Sequence, residues 1–174
     1  SLALSSQFSY RLADILGKIL MKAAELDDFD RAILRILQRD ASLSVEVIAE
    51  KVALSRNACW RRIKLMEEAG VITGRVALAD PARLGCPLEV MVMIRAGRHD
   101  AEWLEGFHRA VRAMPEVVGA YRMTGDLDYL LRVRVADVPA YDAFYKRVIA
   151  RIPLSDISAS FVMEEIKETT ALPI

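Results

Sequence analysis

Cysteine and histidine are scarce in this chain: two of each, Cys59, Cys86, His99 and His108, in 174 residues. None of the four stands in a metal-ligand spacing, so no structural zinc site is expected. Two distant cysteines make no disulfide framework, and a reducing, cytoplasmic setting suits them. An excess of charge of one sign is also lacking. Lys plus Arg and Asp plus Glu each number 24, so the formal charge is zero. Any basic footprint for a nucleic acid must therefore be local. No apolar run is long enough to span a bilayer, so no membrane partner is expected. Neither histidine has an obvious acid partner, and no nucleophile stands beside a base. With no metal cluster either, an enzyme is not expected, and no cofactor is called for.

What is present is apolar matter in regular order. Hydrophobic residues make up 53% and charged residues 28% of the chain, enough for a packed core and too much for disorder as the main state. The length suits one large domain or two small ones. Residues 1–24 read as an N-terminal extension, in which Leu12, Ile15, Leu16 and Ile19 recur at helical spacing. It lacks the plan of a signal peptide. Met21 as the natural start and an extra helix that packs on a partner subunit both stay open.

Residues 25–78 read as three short helices and a wing. Leu26, Phe29, Ile33, Ile36 and Leu37 form one helical stripe, with Asp27, Asp28 and Asp30 at its positive end. Ser44 caps a second helix carrying Val47, Ile48 and Val52. Ser55 caps a third, with Cys59, Ile63 and Met66 inward and Gly70 as its stop. Val71–Thr73 and Val76–Leu78 are expected as two wing strands around Gly74. Asp80-Pro81 and Gly85-Cys86-Pro87 punctuate a linker over 79–87. Residues 88–174 then change grammar: a strand over 88–94, a helix over 101–114, strands over 117–123 and 129–135, a helix from Pro139, and a last strand over 157–166. The order β-α-β-β-α-β is that of a ferredoxin-like sandwich. The whole chain is α+β: a winged helix-turn-helix followed by that sandwich.

The third helix carries the chemistry of a DNA reader. Ser55 to Lys64 holds four basic residues and no acidic one. Its outward positions are Arg56, Asn57, Trp60, Arg61 and Lys64, with Arg62 on the flank, and Ser55 sits at its N-cap. Arg reads guanine and Asn reads adenine through paired hydrogen bonds, while phosphates take Arg, Lys and helix N-terminal amides. Arg56, Asn57 and Arg61 are the candidates for bases, and Arg62 and Lys64 for phosphates. Trp60 has a second reading as a core aromatic, and Cys59 is a small core residue before it is a thiol switch. A homodimer would present two such helices about one DNA turn, ~34 Å, apart or at a multiple of it, to an imperfect palindrome in double-stranded DNA.

From Leu26 onward the residues resemble the Lrp/AsnC family, the feast/famine regulators. The matching stretches include Leu26-Asp27-x-x-Asp30, Val52-Ala53-Leu54-Ser55, Arg62-Ile63, Glu67-x-x-Gly70-Val71-Ile72, Gly125-Asp126-Leu127-Asp128-Tyr129-Leu130-Leu131 and Val162-Met163-Glu164-Glu165-Ile166-Lys167. One departure is Ala53, where the family often has Gly; a positive φ there would strain an alanine. The resemblance implies a transcription regulator whose ferredoxin-like domains pair into dimers, dimers that ring into octamers, and small amino acids bound between dimers as effectors. Pro115-Glu116-Val117, Arg122-Met123, Tyr141-Asp142-x-Phe144-Tyr145 and Thr169-Thr170-x-Leu172-Pro173-Ile174 are similar to the family's cysteine-responsive branch, which makes L-cysteine a candidate effector.

The turn Thr124-Gly125-Asp126-Leu127-Asp128 suits that role chemically. Asp126 or Asp128 can accept hydrogen bonds from an ammonium group, and amides around Gly125 can donate to a carboxylate. Arg122 and Thr124 are placed to contact a carboxylate too. The resemblance adds Ser160, Phe161 and Val162 to the cleft. Read without it, Gly-Asp-x-Asp is a plain hairpin turn, and a metal reading lacks further ligands. The rival function is an amino-acid-binding interaction module that does not bind DNA.

Overall fold

The computed structural model describes residues 26–98 and 100–174; the N-terminal extension and His99 fall outside them. The chain divides into two units. Among the described residues, those from 26 to Val76 together with Glu168–Ile174 form one, and those of Ala77–Lys167 the other.

The helical unit holds α1 (Asp28–Leu37), α2 (Val45–Lys51) and α3 (Arg56–Glu68). Each begins where a side chain satisfies an otherwise orphan amide. Asp27 and Asp30 exchange bonds in a capping box on α1: Asp30 N–H donates to Asp27 at 2.9 Å, and Asp27 N–H to Asp30 at 3.2 Å. Ser44 accepts from Val47 N–H at 3.4 Å and Ser55 from Ala58 N–H at 3.2 Å. Ile33, Leu34, Ile48, Ala49, Val52, Cys59, Ile63 and Met66 close one core between the three helices.

Two expectations change here. The wing strands at 71–73 and 76–78 are not formed; residues 73–80 carry neither helix nor strand. Gly70, at φ +71°, turns the chain back so that Val71 and Ile72 amides both bond to Met66 O, at 2.9 and 3.1 Å. That tucks both residues onto the helical core, while Val76 and Leu78 stand 81% and 76% exposed. The C-terminal residues expected with the sandwich lie instead with the helices. Gln38 holds them: its carbonyl accepts from Thr170 Oγ1 at 3.0 Å and its side-chain Oε1 from Leu172 N–H at 2.6 Å. Arg35 Nε donates to Ile174 O at 2.9 Å, and Ile174 packs on the core. The end of α1 leaves the Gln38 carbonyl without a helical partner, and the Thr170 hydroxyl satisfies it.

The second unit runs β1 (Leu88–Ala96), α4 (Ala101–Arg112), β2 (Val117–Arg122), β3 (Tyr129–Val135), α5 (Val138–Arg151), β4 (Leu154–Phe161). The sheet is antiparallel, ordered β2-β3-β1-β4. The last strand was expected over 157–166 and lies earlier, because Leu154 to Phe161 is the stretch that finds register against β1. Strand alternation builds the core: Val90, Val92, Ile94, Leu131, Val133 and Val135 meet Trp103, Phe107, Val111, Phe144 and Val148 of the helices. The alternate residues fall on the other face. There Glu89, only 7% exposed, pairs with Arg134 at 2.7 Å and with Arg132 at 3.6 Å. No described helix is long and apolar enough to cross a membrane.

Candidate DNA interface and effector turn

The sequence of α3 sorts its side chains by face. Cys59, Ile63 and Met66 are buried. Asn57, Arg61 and Lys64, at i, i+4 and i+7, run along the exposed side, with Arg56 and Trp60 on one shoulder. Trp60 is 52% exposed, so the core reading of that residue does not hold. Ser55 is bound up in the cap, which leaves it at the helix N-terminus where amides favour a phosphate.

The cations of α3 are not equivalent. Arg62 sits over α1, where Nη1 donates to Asp27 at 2.7 Å and Asp30 at 2.8 Å, and its guanidinium lies 5.4 Å from the centre of the Phe29 ring. Those bonds, Asp30 first, raise the Arg62 pKa further. The structure thus gives Arg62 an intramolecular partner set. Arg56 pairs with Glu46, whose carboxyl is held below its ordinary range first by its own amide and then by Arg56. Lys64 pairs with Glu67 at 2.7 Å. Arg61 and Asn57 have no such partner among the described residues and stand free. Sequence reading did not find these acidic partners, since Glu46 and Glu67 meet their cations through the fold or one helical turn and not through a motif.

Cys59 lies within the helical core, and burial pushes its thiol pKa up. A reactive thiolate is therefore disfavoured there.

The effector candidates divide into two groups. Arg122, Thr124, Gly125 and Asp126 are exposed at the β2–β3 hairpin, and Gly125 takes φ +104°. The hairpin is anchored: Asp128 Oδ2 accepts from Ala96 N–H at 2.8 Å, Asp128 N–H donates to Ile94 O at 3.0 Å, and Asp126 O accepts from Arg95 Nε at 3.0 Å. Ser160, Phe161 and Val162 lie elsewhere. Ser160 and Phe161 pair with Met91 and Val90, and Val162 N–H donates to Glu89 O at 3.0 Å. Phe161 meets Tyr141 edge-on at 5.4 Å. These residues occupy the opposite end of β1 and its other side, so one chain does not bring the two groups together. No group of three or more metal-ligating side chains is found among the described residues.

Two family models match this chain: a winged helix-turn-helix DNA-binding model over residues 26–73 and the Lrp/AsnC ligand binding domain over residues 89–172. It is 48% identical to the glutamate uptake regulatory protein of Zymomonas mobilis over 150 residues, covering 86% of this chain and 92% of that protein. It is also 48% identical over 150 residues to the DNA-binding transcriptional activator DecR of Escherichia coli, covering 86% and 99%. Among solved structures, an AsnC family transcriptional regulator from Agrobacterium tumefaciens superposes with a TM-score of 0.82 at 56% identity, covering 85% of this chain and 97% of that one. A Neisseria meningitidis transcriptional regulator crystallised with L-Met superposes at 0.81 with 35% identity, covering 85% and 96%.

Proposed function

The chain belongs to the Lrp/AsnC family of DNA-binding transcriptional regulators, and from that premise we propose that α3 reads an operator in the major groove and that a small amino acid, L-cysteine first among them, tunes the affinity. The observation that carries the reading is the exposed row Asn57, Arg61 and Lys64 on a helix whose opposite face is core. Asn57, Arg56 and Arg61 are assigned to base edges and Lys64 to phosphates, Arg56 and Lys64 first exchanging an acidic partner. Arg62 is assigned to holding α3 against α1.

The hairpin at 124–128 is assigned to the effector. Exposed amides beside Gly125 and the Asp126 carboxylate offer a zwitterion both kinds of partner. Asp128, tied to Ala96, shapes the hairpin. The Neisseria relative's complex with L-Met supports the class of ligand, and the stretches similar to the cysteine-responsive branch support L-cysteine. The sheet face that bears Met91, Met93 and Leu130, away from α4 and α5, supports pairing of subunits through it; dimers that ring into octamers and a cytoplasmic location complete the proposal.

The test is fluorescence anisotropy on duplexes selected by the protein from a random pool, with salt titration and an amino-acid panel. Steep salt dependence is expected. Arg61→Ala should weaken binding by about 1–3 kcal/mol, the scale of one bidentate base contact. If no duplex is enriched, the chain is an amino-acid-binding module without DNA, and if binding ignores every amino acid, the effector half fails alone.

A further inference from the structure

We propose that Trp60 reads the 5-methyl group of a thymine. The inference rests on α3 entering the major groove, as set out above, and adds the identity of a base.

The helical core is complete without this side chain: Cys59, Ile63 and Met66 supply all that α3 buries. Trp60 is left half in water beside Asn57 and Arg61, with Arg56 and Lys64 one turn before and after it. Both of those cations are directed to acids on the protein, Arg56 to Glu46 and Lys64 to Glu67. Trp60 is thus an apolar plate set among groups that suit DNA. The floor of the major groove presents donors and acceptors at every base pair and one apolar group, the thymine methyl. An indole face laid over N7, O6, N6 or N4 displaces their water and returns no hydrogen bond, which is costly. Laid over a methyl it removes apolar surface from water on both sides. Chemical complementarity therefore selects a thymine next to the base pairs read by Asn57 and Arg61.

Duplexes selected by the full-length protein from a random pool are resynthesised with each thymine in turn replaced by deoxyuridine, which lacks only the methyl. Wild-type protein should lose roughly fourfold in affinity at one thymine per half-site, the scale of one buried methyl-sized group. Trp60→Ala should bind the parent duplex about tenfold or more weakly and show no penalty at that thymine. Trp60→Phe keeps an apolar face and should keep the penalty; its loss in Trp60→Phe would show that an apolar face at this position is not what senses the methyl, and would overturn the proposal. So would a thymine penalty unchanged in Trp60→Ala, or no penalty at any thymine. Failure to enrich any duplex is a different outcome, which removes the DNA-binding reading together with this one.

Discussion

Replacing Ala53 with Gly should stabilise the helical unit, although it deletes a methyl group. Helices α2 and α3 end in the same way. After α2, Ala53 N–H bonds to Glu50 O at 3.3 Å and Leu54 N–H to Ala49 O at 2.9 Å; after α3, Gly70 N–H bonds to Glu67 O at 3.0 Å and Val71 N–H to Met66 O at 2.9 Å. Both turns need a left-handed residue, and φ is +54° at Ala53 and +71° at Gly70. A Cβ in that region costs about 1–2 kcal/mol. Glycine's greater freedom in the unfolded chain offsets about 0.4–1 kcal/mol of that. The net gain for Ala53→Gly is then about 0.5–1 kcal/mol, and Gly70→Ala should lose a similar amount. Nothing lies within 4 Å of a Cβ built at Gly70, so its sign is set by the backbone alone. Native-state hydrogen exchange separates the units: protection at the Ile63 amide should rise roughly twofold to fivefold in Ala53→Gly and fall likewise in Gly70→Ala, with Val92 unchanged. Lower protection in Ala53→Gly would show that the turn before α3 is not left-handed, and the account of how α3 is set would fail with it.

Arg62→Ala should destabilise the helical unit, through loss of two charge-assisted bonds to α1, read as a lower midpoint in urea, while the same variant keeps its salt dependence on DNA because Arg62 is not counted among the phosphate contacts. The Asp27 carboxyl is held below its ordinary value of 3.8, first by the Asp30 amide and then by Arg62; its contribution is full above that value and is lost as pH falls through the lowered one. Acid titration of helicity should accordingly be flatter below that value in Arg62→Ala than in wild type. A thiol reagent at pH 8 should label the half-buried Cys86 in the native protein and reach Cys59 only on opening of the helical unit, since Cys59 is buried with a raised pKa; equal rates would refute its placement in the core. The apparent affinity for the effector should strengthen as protein concentration rises, measured by calorimetry over a hundredfold range.

Most of the fold was legible in the sequence because its signals are local. Three serine or aspartate caps and the stripes of Ile and Leu place the helices, and the alternation at Tyr129–Val135 places a central strand. What escaped depends on contacts between distant residues. Val76 and Leu78 have strand-like residues without a ladder partner in the described chain. Residues 154–156 look like a loop until β1 supplies register. The Thr170 and Leu172 bonds to Gln38 span more than a hundred residues. The exposure of Asn57, Arg61 and Lys64 on one face of α3 was legible by spacing; that Arg62 is spent on Asp27 and Asp30 was not, since helical spacing alone puts it only on the flank.

The effector set shows how far one chain can take the chemistry. Asp128 N–H meets β1 at Ile94, and Val162 N–H meets it at Glu89. Five positions of extended strand are about 17 Å, and β3 and β4 flank β1 on opposite sides, roughly 10 Å apart. A small amino acid is shorter than two extended residues, about 7 Å, so it cannot touch the hairpin and Phe161 of the same chain. If both groups serve one site, that site is completed by a second chain. Effector binding then stabilises the assembled state by mass action, and assembly strengthens effector binding by the same factor. The concentration test follows from this reciprocity: a constant affinity means that the hairpin binds alone and that Ser160, Phe161 and Val162 are outside the site.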